Sequence, residues 1–143
     1  MNGHRVLLVD DEPDFVDALA KRLRGRGLEV HTANSGFEAL DVLARTSVDT
    51  VILDLAMPEM DGIETLRRLK DVDPDLQVIL LTGHGTIPAG IEAMKSGALD
   101  FLLKPFDYEE LLEKIREAGQ RKAELDREQT EKGVSDILRK AGW

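Results

Sequence analysis

Val6-Leu7-Leu8-Val9-Asp10-Asp11-Glu12 joins a short, uninterrupted apolar run to three consecutive carboxylic acids. A run that is apolar at every position reads as a strand covered on both faces, the pattern of a parallel sheet between helices. The period then changes. Phe15, Leu19 and Leu23 repeat at helical spacing after Pro13 and Asp14, and Gly25 and Gly27 stop that helix. The same strand-then-helix unit recurs along the chain. Leu28-Glu29-Val30-His31-Thr32 alternates and reads as an edge strand, after which Ser35 caps a helix carrying Phe37, Leu40 and Ala44 on one face. Val51-Ile52-Leu53 is the third strand, followed by a helix marked by Ile63, Leu66 and Leu69 that ends near Pro74. Gln77-Val78-Ile79-Leu80-Leu81 is the fourth, with Ile87, Ile91 and Met94 marking its helix. Leu99-Asp100-Phe101-Leu102-Leu103 is the fifth, and Leu111, Leu112, Ile115 and Ala118 form the inner face of the last helix.

Five such units in succession predict an α/β fold: a doubly wound, five-stranded parallel sheet of order 2-1-3-4-5, flavodoxin-like, with an extended C-terminal helical tail. In that order a ligand lies past the carboxyl ends of the strands, where strands 1 and 3 meet.

Composition narrows the functional classes. The 143 residues are enough for one domain with a core. There is no cysteine, which excludes disulfides, thiolate metal sites and cysteine nucleophiles. No run approaches the roughly 18 apolar residues of a membrane span, and the start is wrongly flanked for a signal peptide. A cytoplasmic address is expected, with no membrane partner. The formal charge is −9. Residues 1–118 hold 13 basic and 23 acidic residues, a net −10, while residues 119–143 hold 6 and 5, a net +1. An acidic body repels a phosphate backbone, so no direct nucleic-acid binding by this chain is expected.

At the predicted strand ends stand Asp10, Asp11 and Glu12 after strand 1, Asp54 after strand 3, Thr82 at the end of strand 4 and Lys104 at the end of strand 5. Singly, each has an ordinary explanation: acids at a helix start, a turn-forming Asp, a Thr-Gly loop, a Lys-Pro surface turn. Together they crowd carboxylates from adjacent strands into one pocket, where they repel unless a cation intervenes. A mostly open, oxygen-rich site with few protein ligands suits Mg²⁺. One carboxylate can then attack phosphorus while Lys104 balances the incoming charge and the Thr82 hydroxyl donates a hydrogen bond. Two enzyme or cofactor readings compete. A phosphatase of the haloacid-dehalogenase type has its nucleophilic Asp after strand 1 and a second Asp two residues on, but here Glu12 and Pro13 follow. A flavodoxin-like cofactor binder needs a Gly/Ser/Thr-rich phosphate cradle where this chain has three acids.

Val9-Asp10-Asp11-Glu12, Asp54-Leu55-Ala56-Met57-Pro58-Glu59-Met60-Asp61-Gly62, Leu81-Thr82-Gly83, Gly97-Ala98-Leu99-Asp100-Phe101 and Lys104-Pro105-Phe106 occur in this order. In these motifs the chain resembles the receiver domain of two-component response regulators, from Arg5 to about Ala118. The resemblance implies that Asp54 is the phosphoacceptor, that Asp11 binds Mg²⁺ directly and Asp10 through water, and that the Ala56 carbonyl is a further ligand. It implies that Thr82 and Lys104 bind phosphoryl oxygens, and that the Lys104-Pro105 bond is cis. Thr82 and Phe101 would form the switch, although Phe101 reads equally as a core residue of strand 5. Ala56 and His84 would tune the phosphoryl lifetime, and His84 reads also as a solvent-facing loop residue.

The implied function is Mg²⁺-dependent transfer of a phosphoryl group from the phosphohistidine of a sensor histidine kinase to Asp54. This switches the surface of helix 4, strand 5 and helix 5 that a downstream effector protein or output domain reads. The chain would be no enzyme toward other substrates, catalysing only its own phosphorylation and dephosphorylation. An interaction module independent of phosphorylation is the alternative, and a homodimer formed on phosphorylation is compatible with the resemblance. The boundaries expected are 1–122 for the receiver and 123–143 for a charged helical tail. In that tail Gly133 reads as a break after a helix ending near Glu131, and Val134, Ile137, Leu138 and Ala141 as a short amphipathic turn. Leu111, Ile115, Ala118, Lys122, Leu125 and Gln129 have heptad-like spacing, but Lys and Gln make a weak seam, so a solvated helix is expected. The loops at Thr82–Thr86 and Lys104–Asp107 look most like those of receivers fronting transcription activators.

Overall fold

Each apolar run becomes a strand and each period-3.6 stretch a helix, with boundaries within a residue or two of the pattern except at the end of the last helix. The computed structural model describes residues 3–55, 62–83 and 87–142, the side chains of residues 82 and 87–89 excepted. The strands are β1 (Arg5–Val9), β2 (Glu29–Ala33), β3 (Thr50–Leu53), β4 (Gln77–Thr82) and β5 (Asp100–Leu103). They form one parallel sheet in the order β2-β1-β3-β4-β5, as predicted. The helices are α1 (Pro13–Gly25), α2 (Gly36–Arg45), α3 (Gly62–Val72), α4 (Ile87–Lys95) and α5 (Tyr108–Lys140). Among the described residues, no helix is long and apolar enough to cross a membrane.

The period of two along the strands separates two cores. Val6, Leu8, Ile52, Ile79, Leu81 and Leu102 point to one face, under α1 and α5. Leu7, Val9, Val51, Leu53, Val78 and Leu80 point to the other, under α2, α3 and α4. Truncating any of these fully buried leucines to alanine costs about 2–5 kcal/mol, so the sheet is a rigid platform for whatever sits at its ends. Local chemistry fixes the helix starts. Pro13 opens α1, Ser35 Oγ accepts from the Glu38 N–H at 3.1 Å, and Asp107 Oδ1 accepts from the Glu109 N–H at 2.9 Å. Gly27, at φ 88°, makes the left-handed turn that leads from α1 into β2.

The structure corrects the helix face at α2 and the break expected in α5, whereas the inner face of α5, Leu111, Leu112, Ile115 and Ala118, is buried as expected. In α2 the buried positions are Gly36 and Ala39, with Leu40, Val42 and Leu43 partly covered, while Phe37 and Ala44 face outward. The packed stripe is rotated by one residue because the small side chains, not the large ring, meet the sheet. In α4, Ile91 and Met94 lie 50% and 45% exposed, and Ala93 is the buried residue. The space beneath this helix is filled from the sheet: the Phe101 ring lies 3.6 Å from where a Gly90 Cβ would stand. Gly133 does not break α5, which runs unbroken through it to Lys140. A solvated helical glycine costs only about 1 kcal/mol relative to alanine, too little to end so long a helix. Val134, Ile137 and Leu138 therefore lie exposed on this helix rather than in a separate turn.

The first turns beyond Ala118 are not simply solvated. Lys122 Nζ stands 3.3 Å from Asp73 Oδ2 and 3.5 Å from Asp126 Oδ1. Burial depresses the Lys122 ammonium, but the Asp73 and Asp126 carboxylates outweigh it and hold its pKa above the ordinary lysine value. Gln129 reaches Asp75 in the same α3–β4 turn. α5 crosses His4 at Gly119, where an added Cβ would lie 2.7 Å from two ring atoms, and His4 Nε2 is itself 2.8 Å from Thr50 Oγ1. Gly119→Ala is therefore expected to destabilise the fold by about 1–3 kcal/mol of overpacking, seen as a lower urea midpoint. Gly133→Ala, with nothing within 4 Å of its added Cβ, is expected not to lower it.

Candidate functional site

The carboxyl ends of β1, β3 and β5 converge on one pocket. The Asp54 N–H donates to the Val9 carbonyl at 3.0 Å, so the residue after β3 hangs from the last residue of β1. The Asp10 N–H donates to the Ala33 carbonyl of β2 at 3.1 Å. Both carboxylic acids are thereby drawn into the sheet: Asp10 is 1% and Asp54 4% exposed, while Asp11 and Glu12 stand on the solvent side. The Glu12 N–H donates to Asp10 Oδ1 at 3.0 Å, which holds that carboxylate at the start of α1. One carboxylate oxygen from each of Asp10, Asp11, Glu12 and Asp54 lies within 4.8 Å of all the others.

Lys104, directly after β5, brings a positive charge to this group. Its Nζ donates to Asp10 Oδ2 at 2.7 Å and lies 3.7 Å from Glu12 Oε1. It also stands 4.2 Å above the centroid of the Phe15 ring. Burial lowers the Lys104 pKa, but the hydrogen bond to Asp10 and the charges of Asp10, Asp54 and Glu12 outweigh it, and the ammonium sits above its ordinary value. The Lys104-Pro105 peptide is cis, as expected.

Gly62 explains part of the Asp54–Gly62 motif. Its N–H donates to the Leu55 carbonyl at 3.0 Å, and a Cβ there would lie 2.4 Å from Leu55 Cα and 2.9 Å from the Asp54 carbonyl oxygen. Only glycine lets α3 begin this close to the backbone that carries Asp54.

Of the residues expected at the site, Asp10, Asp11, Asp54 and Lys104 come together, and Phe101 lies half-buried on β5, paired in register with Leu80. Lys104 meets Asp10, whereas the resemblance placed it on a phosphoryl group at Asp54. Thr82 ends β4 opposite Leu103, with its hydroxyl outside the described atoms. Ala56 and His84 lie outside the described residues. Sequence reasoning did not include Glu12 in the ligand cluster or give Phe15 a place at the site. The first was legible as the third member of an acidic run; the second shows only once β5 is laid beside α1.

The donors fit a hard divalent cation. Among the described residues all are oxygens, two of the four carboxylates face solvent, and one ammonium is set against the four. With a divalent cation held among them, such a cluster can align an incoming phosphoryl group, with a carboxylate at its floor.

Residues 6–116 match the family model described as the response regulator receiver domain. The chain is 41% identical over 120 residues to the transcriptional regulatory protein ZraR of Klebsiella oxytoca, an alignment covering 82% of this chain and 27% of that protein. It is 44% identical over 118 residues to the transcriptional regulatory protein GlrR of Escherichia coli (strain K12), again covering 82% and 27%. The chain thus spans about a quarter of the length of these relatives. Among solved structures, a response regulator receiver domain protein from Clostridium thermocellum superposes with a TM-score of 0.81 at 38% identity, covering 85% of this chain and 98% of that one. NtrX from Brucella abortus, in complex with ADP, superposes with a TM-score of 0.82 at 33% identity, covering 96% and 30%.

Proposed function

The chain belongs to the response regulator receiver domain family, and on that premise we propose that it is a phosphorylation switch whose acceptor is Asp54. The observation that carries this reading is the pocket itself: Asp54 and Asp10 buried side by side at adjacent strand ends, with the Lys104 ammonium 2.7 Å from Asp10. In the reaction, a carboxylate oxygen of Asp54 forms a bond to phosphorus as the nitrogen–phosphorus bond of a histidine kinase's phosphohistidine breaks, and the imidazole leaves. Lys104 exchanges Asp10 for a phosphoryl oxygen, and the Thr82 hydroxyl donates to another. Asp10, Asp11, Asp54 and the Ala56 carbonyl would hold Mg²⁺, which when bound supplies charge neutralisation to the transferring group. Water later cleaves the acyl phosphate and resets Asp54, at a rate on which Ala56 and His84 bear. Toward other substrates the chain is a signalling module, not an enzyme.

The readout is a shift between two states of α4, β5 and α5, with Phe101 moving as Thr82 moves. In support, Phe101, Gly90, Ile91, Met94, Lys95 and Asp100 line an open pocket of about 570 Å³ whose walls are mostly apolar. That is a surface a partner protein can enter, and it accounts for the outward apolar residues of α4. Residues 1–122 act as the receiver and 123–143 as a helical tail toward the output. The two relatives described above are transcriptional regulators, and transcription control is the output we assign. The absence of nucleic-acid binding applies to the acidic receiver stretch alone and does not extend to a whole regulator. A cytoplasmic setting follows from partnership with a kinase and with transcription.

Incubation with labelled acetyl phosphate and Mg²⁺ tests the chemistry. A label that hydroxylamine removes, as it does an acyl phosphate, and that chelation of the metal prevents, is the expected result. A folded protein that neither acetyl phosphate nor a phosphorylated kinase labels would leave the phosphorylation-independent interaction module as the reading.

A further inference from the structure

We propose that Phe15 is a positioning residue for Lys104, its ring face holding the ammonium at the mouth of the acidic pocket while the ammonium passes from Asp10 to the phosphoryl group. This rests on the phosphorylation reading above and adds a residue to it. Phe15 lies in the first turn of α1, three residues after Glu12, so one short stretch presents both a carboxylate and a ring to the same lysine. The ammonium stands 4.2 Å from the ring centroid, well inside the roughly 6 Å over which the ring quadrupole attracts a cation. The opposite requirement, that the ring itself be fixed, is also met. Phe106, two residues beyond Lys104, packs edge-on against Phe15 with centroids 6.3 Å apart at 86°. One ring therefore touches the Lys104-Pro105-Phe106 turn at its charged end and at its aromatic end.

Physical chemistry gives the ring a task the carboxylates cannot perform. A hydrogen bond to Asp10 is directional and fixes Nζ at one point. Attraction to a ring face is broad, so the ammonium can swing from Asp10 toward Asp54 without leaving the ring. A lysine side chain released from Asp10 with no such surface would regain its rotamer freedom, which transfer would have to restrict again. An aliphatic residue of similar size would fill the same partly buried space against the first core without offering a negative face.

The test compares Phe15→Leu and Phe15→Tyr, each with Lys104 present and in a Lys104→Met background. Two quantities are measured: the rate of phosphoryl gain from acetyl phosphate at saturating Mg²⁺, and the proton shift of the Lys104 ε-methylene, which the ring current moves upfield. Phe15→Leu is expected to slow phosphorylation about fivefold and to return the ε-methylene shift to that of an ordinary lysine. Phe15→Tyr is expected to keep both, and Phe15→Leu to change nothing further once Lys104 is methionine. Equal slowing in both backgrounds would make Phe15 a packing residue only, and an unchanged rate and shift would remove it from the site. Failure of the wild type to gain any phosphoryl group would count against the function itself, while the ε-methylene shift still decides the contact.

Discussion

Lys104→Met will slow phosphoryl transfer to Asp54 by about 10²-fold at saturating Mg²⁺, as followed by phosphoryl gain from acetyl phosphate. Methionine keeps the length and apolar stem of the side chain, so the comparison isolates the ammonium. That group is the positive charge found against the four-carboxylate cluster, 2.7 Å from Asp10 and shielded to 17% exposure. In so water-poor a position an oriented charge stabilises the transferring phosphoryl oxygens far more than it would in bulk solvent. Its removal also leaves buried Asp10 without its closest cation. The variant is therefore expected to be less stable than the wild type in metal-free buffer, by a margin that added Mg²⁺ narrows. A rate within twofold of the wild type would remove Lys104 from the chemistry.

Gly62→Ala is expected to destabilise the fold by about 3 kcal/mol and to impair phosphorylation along with it. The added methyl would stand 2.4 Å from Leu55 Cα and 2.9 Å from the Asp54 carbonyl oxygen. Those are backbone atoms, so no rotamer change relieves the contact, and the segment that carries the acceptor must move. Urea unfolding should show a lower midpoint with an unchanged slope. Gly133→Ala is the internal control, since the same added methyl meets nothing there. Equal midpoints for Gly62→Ala and the wild type would mean that α3 can begin farther from Leu55 than it does here.

The parts of this molecule that sequence reasoning reaches are those set by short-range pattern. Val6–Val9, Val51–Leu53 and Gln77–Leu81 are apolar at nearly every position because both faces of the strand are covered, and that pattern, with the order common to five such units, brings Asp10 and Asp54 to one end of the sheet. The helix faces were less legible. Phe37, Ile91 and Met94 are large and apolar at helical spacing, yet small residues, Ala39, Gly90 and Ala93, take the packed positions. Which stripe faces inward depends on how much volume the sheet supplies, and at α4 the sheet supplies Phe101. The place of Phe15 was illegible for a different reason. Its partners Lys104 and Phe106 lie about ninety residues away, and no local periodicity encodes a ring's approach to an ammonium. Gly133 misled because a helix-breaking propensity counts for little in a solvated segment of a 33-residue helix.

The switch turns on one carboxylate, and intact-protein mass spectrometry after incubation with Mg²⁺ and acetyl phosphate tests it most directly, with Asp54→Asn alongside. The wild type should gain the mass of one phosphoryl group and Asp54→Asn none, with chelation of the metal abolishing the gain. A phosphoryl group carried equally by Asp54→Asn would contradict the assignment of the acceptor.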